Sequence, residues 1–186
     1  MIRAVIGGLF GGVALFLTGF IFWGTPLSAI ALSSADSQAS ANLQAAMAQA
    51  LTPTGTGVYV IPSPASSAGT VLYGKGPVAQ VLFNTSGFPV SDGGALIAGF
   101  ILSLVVGVLI ALALRTMAND FATRARMTVL FSLAAVLWLH IGQPIFNHAP
   151  WRYFLYLAFS DFVGLVAAGL IAARWFMAKG EAAPPS

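Results

Sequence analysis

Few side chains in this sequence are equipped for chemistry. Its 186 residues hold five acids, two histidines and no cysteine, which excludes disulfides, iron–sulfur clusters and thiolate zinc sites. Asp161 stands out because it interrupts an apolar run, Tyr153–Ala173. At about 1.5 Å per helical residue it lies roughly 12 Å from the start of that run. A carboxyl group in hydrocarbon costs several kcal/mol and marks a functional position by default. Three kinds of chemistry suit it: proton titration, cation binding, or a hydrogen bond to a ligand. The structural alternative is a local bond from Asp161 to Thr18, Ser103 or Ser132 on neighbouring helices. An interfacial position is a further alternative, if Trp151–Tyr156 lies outside the hydrocarbon.

His140 and His148 bracket a segment, Ile141–Pro150, that also holds Gln143 and Asn147. A zinc or haem site would need more ligands than this, and the segment contains no acid. The structural expectation is a set of interface residues packed by Trp138, Trp151 and Arg152. The functional one is a quinone or lipid headgroup held by His140 or Arg152. Asp161, His140 and Arg152 are therefore the candidate ligand contacts, with no metal and no cofactor expected. Proton transfer between Asp161 and His140 would require hydrogen-bond reach, and counting rise along the two spans sets them at different depths.

Catalytic templates are missing. There is no P-loop, no HExxH and no GxSxG. Ser160 and Asp161 are adjacent, so on a helix they point in different directions and cannot form a nucleophile–base pair. The balance is against an enzyme. Inverted repeats of the transporter kind are not visible either, and four spans are few for alternating access.

These residues need elements to hold them, and composition says what kind. The chain is 58% hydrophobic and 7% charged, with a mean hydropathy of +0.89, where soluble domains carry about 25% charged residues. Lipid must solvate much of it. Four apolar segments approach the roughly 20 residues a bilayer core demands: Ala4–Gly24, Gly94–Leu114, Met127–Ile141 and Tyr153–Ala173. The first is longer than a signal-peptide core of about 7–15 residues, so it reads as an anchor.

Basic residues flanking spans favour the cytoplasmic side. With the N-terminus inside, Arg3, Arg115, Arg124, Arg126, Arg174 and Lys179 fall inside, against Lys75 and Arg152 outside. Both termini are then cytoplasmic. The net charge of +3 does not point to nucleic acid, because no basic cluster with interleaved aromatics tracks a phosphate backbone.

The first span carries Gly7, Gly8, Gly11 and Gly12, two overlapping GxxxG patterns that permit close backbone approach. One reading makes them a face for a protein partner or a second copy. The other packs them within the chain's own bundle, where Gly99, Gly107, Gly164 and Gly169 offer counterparts.

Between the first two spans, residues 25–92 turn polar and rich in Ser, Ala, Thr, Pro and Gly. Ser34–Leu51 reads as a helix with Leu43, Met47 and Leu51 on one stripe, stopped by Pro53. Gly57–Ile61 and Val78–Phe83 read as strands, and Val71–Tyr73 as a short third one. So small an insert is expected to cap the bundle rather than stand as an enzyme domain.

Gly57-Val58-Tyr59 with Pro62 and Pro64, Gly76-Pro77, and Asn147 to Trp151 resemble a loose group of small bacterial inner-membrane proteins with four predicted spans. No activity is known for that group, so the resemblance implies a location and a layout only. The sequence thus predicts an all-α membrane fold, a four-helix bundle with a small α+β extracytoplasmic insert. Its parts are helix 1 (1–24), the insert (25–92), a three-helix region (93–177) and a cytoplasmic tail (178–186). The expected function is a non-catalytic subunit or accessory protein of an inner-membrane complex. A binder of a lipid, quinone or other apolar small molecule is the alternative, and a proton-transfer enzyme the third.

Overall fold

A computed structural model describes residues 1–117 and 120–176; the tail 178–186, with Lys179, lies outside the described residues. In chain order the helices are α1 (Ile2–Trp23), α2 (Ser37–Leu51), α3 (Ser67–Lys75), α4 (Gly93–Met117), α5 (Phe121–Val136), α6 (Gly142–Asn147) and α7 (Trp151–Ile171). A 3-10 turn, Pro26–Ile30, follows α1, and π-helical turns cover Leu137–Ile141 and Ala172–Phe176. Two strands, β1 (Gly57–Ile61) and β2 (Ala79–Phe83), complete the list. The chain divides into two compact units, residues 34–92 and the remainder.

In the larger unit four helices are long and apolar enough to cross a membrane: Ile2–Trp23, Gly93–Thr116, Phe121–Asn147 and Trp151–Arg174. α1 packs against α4 and α7, and α7 in turn packs against α5. The buried positions are small. On α1 they are Ala4, Gly7, Gly8, Gly11 and Gly12, and on α7 Ala158, Ser160, Gly164, Ala168 and Gly169. No large side chain is fully buried among the described residues. That is the expected signature where lipid removes the hydrophobic drive between helices and close van der Waals contact takes over.

The glycine face of α1 is therefore engaged inside the chain. A Cβ on Gly8 would meet Val108 Cα at 2.5 Å, one on Gly12 would meet Leu104 Cα at 2.5 Å, and one on Gly11 would meet Ala168 O at 2.6 Å. Backbone, not side chain, fills the space. A partner meeting helix 1 would have to use its other face, which carries exposed Phe10, Leu17, Phe20 and Ile21.

Three segment boundaries differ from expectation. The third long helix runs Phe121–Asn147 rather than Met127–Ile141. The Asp120 side chain caps its start by accepting from Thr123 N–H at 2.8 Å, a local signal that satisfies one orphan donor. Pro144 does not break it; it stands just past the π turn Leu137–Ile141, as the third residue of α6. The helix ends at His148 in a left-handed conformation with φ 51°. The expected loop Ile141–Pro150 thus shrinks to His148–Pro150.

In the smaller unit the two strands pair antiparallel, Gly57 opposite Phe83 and Ile61 opposite Ala79. The expected third strand at Val71–Tyr73 is instead part of α3. Ser66 caps that helix through Gly69 N–H at 3.0 Å, and Gly76 ends it at φ 68°. Two strong punctuation marks with nine residues between them outweigh the β-preference of those residues. α2 forms with Asp36 as its cap, but its Leu43 stripe is not buried.

Candidate functional site: a histidine–aspartate pair between two long helices

α5 presents a buried row at a spacing of four: Arg124, Thr128, Ser132 and Val136. At about 100° per residue each step of four over-rotates by roughly 40°, so a continued α-helix would carry position 140 away from this row. The π turn Leu137–Ile141 intervenes. Its wider turn takes back part of that drift, and His140 and Pro144 stay on the packed side, His140 with a side-chain exposure of 15%. Single π turns of this kind recur at functional positions in helices.

Across from this turn lies α7. His140 Nε2 stands 2.8 Å from Asp161 Oδ2, a hydrogen-bonded pair. The expectation of different depths is overturned: α5 and its extension slide along α7 so that residue 140 comes level with residue 161. The reason is the longer third helix, which moved its end to Asn147. Two of the three hydroxyls expected to hold Asp161, those of Thr18 and Ser103, are committed elsewhere. Thr18 donates to Ala14 O at 2.8 Å and Ser103 to Gly99 O at 2.9 Å.

Asp161 keeps 44% of its side chain exposed. Only Oδ2 is engaged; no hydrogen bond reaches its Oδ1 or His140 Nδ1 among the described residues, and neither atom is sealed inside the protein. The pair is a polar position open on one side.

On the stretch of α7 before the pair, an aromatic cluster is fixed to the end of α1. Trp23 Nε1 donates to Ser160 Oγ at 3.2 Å, and Ser160 donates to Leu157 O at 3.0 Å. Ser160 thus both accepts and donates away from Asp161. Tyr156 donates to Phe22 O at 2.7 Å, satisfying a carbonyl at the end of α1. The Trp23 ring meets Tyr156 and Tyr153 edge-on, at 5.2 and 5.9 Å between centroids. These clamps lock α1 to α7 over Tyr153–Ser160, the stretch that leads into Asp161. They were not anticipated; the clustered aromatics Phe22, Trp23, Tyr153 and Tyr156 were the available signal.

Arg152 does not join the pair. Its Nη2 donates to Ala29 O at 3.2 Å, tying the 3-10 turn to the start of α7. Nine residues before Asp161, it lies about 13 Å away along the helix axis. His148 is the helix C-cap, and Asn147 donates to Gln143 at 2.8 Å, so the second histidine is also apart. No group of three metal-ligating side chains occurs among the described residues. Outside the long apolar stretches, the Asp120 carboxyl is held below its ordinary value by the hydrogen bond from Thr123 N–H.

Comparison with protein-family models, curated proteins and solved structures finds no match for this chain. Function has to be argued from the site itself.

Proposed function

We propose that the protein is a multi-pass inner-membrane protein of a bacterium that binds an apolar small molecule with a polar head between its helices. In this reading both termini are cytoplasmic, residues 25–92 are extracytoplasmic, and the His140–Asp161 pair is the polar fixing. One observation carries it: a carboxylate and an imidazole 2.8 Å apart, within stretches otherwise apolar, with the carboxylate 44% exposed on its side chain. A purely structural polar clamp would engage and cover its groups, since unsatisfied polar atoms in hydrocarbon each cost several kcal/mol. Among the described residues no group of three metal-ligating side chains occurs and the neighbouring Ser160 is hydrogen-bonded to Trp23 and Leu157, so binding fits better than bond-breaking.

The test is ligand retention by the purified full chain in native-lipid nanodiscs, read by native mass spectrometry. Hydrogen bonds to charged groups contribute about 1.5–3 kcal/mol, so Asp161→Asn is expected to weaken retention by roughly tenfold or more. Unchanged retention in that variant removes the reading.

A second reading, an accessory subunit of a larger membrane assembly, has its own support. In the smaller unit Leu82, Phe88 and Val90 are exposed at 82%, 72% and 108%, although that segment is polar overall and not of membrane-spanning character. Crosslinking in gently solubilised membranes that yields monomer alone would end it.

A further inference from the structure

We infer that the ligand of the His140–Asp161 pair is a hydroxyl-bearing amphiphile, one that donates a hydrogen bond to Asp161 Oδ1. The inference rests on the binding role proposed above and adds the chemistry of the head group.

Two polar atoms of the pair remain open, His140 Nδ1 and Asp161 Oδ1. They differ in what they require. A proton between the two residues lies on the Oδ2···Nε2 line, whichever residue holds it. Oδ1 is then a carboxylate oxygen or a carbonyl oxygen, and in both forms it accepts. Nδ1 changes role with the proton: it accepts when Nε2 carries the only ring hydrogen and donates otherwise. The tautomer is assigned by no hydrogen-bond partner on the far side of the ring. A ligand that fits every form must therefore donate to Oδ1, whatever role Nδ1 takes on the far side of the ring. A hydroxyl does so. A carbonyl, an ether or an ester offers no donor.

Exposure supports the same ordering of contacts. Asp161 is the open member at 44%, against 15% for His140, so the head group meets the carboxyl first. The same two helical segments carry exposed apolar side chains: Leu137, Trp138, Leu155 and Phe159 lie at 49%, 76%, 52% and 58%. That suits a hydrocarbon body approaching from lipid rather than a water-soluble alcohol. An ammonium head also donates, and it meets both the attraction of the Asp161 carboxylate and the repulsion of a protonated ring, so hexadecylammonium is the competitor that separates the two head groups.

The experiment uses the full chain in phosphatidylcholine nanodiscs, whose lipids carry no head-group hydroxyl. The probe is a long-chain alcohol bearing a diazirine, and labelled peptides are mapped by mass spectrometry. Labelling on the Leu137–Ile141 turn and on α7 near Asp161 is expected, with hexadecanol competing at least about tenfold better than hexadecyl methyl ether, the loss of one charge-assisted donor. The ether keeps an acceptor and lacks the donor, so this comparison needs no variant and no refolding control. If dipalmitoylglycerol competes as well as hexadecanol, the hydroxyl belongs to a membrane lipid. If the single-chain alcohol alone competes, it belongs to a free amphiphile.

Equal competition by ether and alcohol, with labelling still lost in Asp161→Asn, would overturn the donor requirement and leave the binding role standing. Stronger competition by hexadecylammonium than by hexadecanol would overturn it too. Labelling at the pair that is indifferent to both Asp161→Asn and His140→Ala would remove the binding role as well.

Discussion

Gly8, Gly12 and Gly107 form a close backbone seam between α1 and α4, and alanine there is a sharp test of how the bundle is held. A Cβ on Gly12 would stand 2.5 Å from both Leu104 Cα and Ser103 O, and one on Gly8 would stand 2.5 Å from Val108 Cα. On Gly107 it would collide with Gly8 O and the Gly12 backbone. Carbon atoms settle at about 3.5–4.0 Å, so α4 must retreat from α1 by roughly 1 Å. Every obstacle is backbone, so no rotamer change relieves it. A gap of that size forfeits about a quarter to a half of each dispersion contact along the seam, and overpacking of this kind costs about 1–3 kcal/mol. Gly19 and Gly99 have nothing within 4 Å. Alanine at those two positions should be neutral or stabilising by up to about 1 kcal/mol, from helix propensity alone. The assay is reversible unfolding in mixed micelles with Trp fluorescence, comparing G8A, G12A and G107A with G19A and G99A. Equal stability across both sets would refute the close seam. An altered oligomeric state in G8A and G12A with no loss of stability would show that the glycines serve a partner instead.

Other outcomes follow from the same geometry. Trp23→Phe keeps the ring and loses the bond to Ser160, and should lower stability by about 0.5–1.5 kcal/mol in the same unfolding assay. Asp120 is depressed by Thr123 N–H, so its stabilisation of the α5 start is present above the ordinary carboxylate value of 3.8 and lost as pH falls through the lower folded value. The stability advantage of wild type over Asp120→Ala should therefore be full near neutrality and shrink at pH below 3.8; a gap independent of pH would contradict the capping bond. Because the chain has no cysteine, single-cysteine variants report sidedness cleanly. Ser40→Cys should react with an impermeant maleimide in intact cells, and Thr116→Cys only after the membrane is opened. The reverse pattern would invert the proposed topology.

Much of the architecture was legible because it follows from composition and punctuation. Long apolar runs can be satisfied only by helices in lipid, so α1, α4 and α7 fall close to their expected ranges. Asp36 and Pro53 bracket α2, and β-branched residues between glycines and prolines mark β1 and β2. Local rules failed where two signals competed. Val71–Tyr73 has strand-forming residues, yet Ser66 and Gly76 close a helix around them. At the third long helix, hydropathy alone placed the end at Ile141, whereas the Asp120 cap and a tolerated Pro144 carry it to Asn147.

The site divides along the same line. Asp161 and His140 could each be singled out from the sequence, since an ionisable group in an apolar run is rare and expensive wherever the run ends up. Their meeting could not. It depends on how far one helix slides along another and on a π turn that shifts the phase of everything after it, and neither quantity has a local signature. Arg152 shows the converse: a plausible ligand by type and neighbourhood, it is claimed by the Ala29 carbonyl, a partner 123 residues away in the chain. Residue chemistry sets which groups are costly to bury. Helix register, fixed only when small residues let backbones touch, sets which of them share that cost.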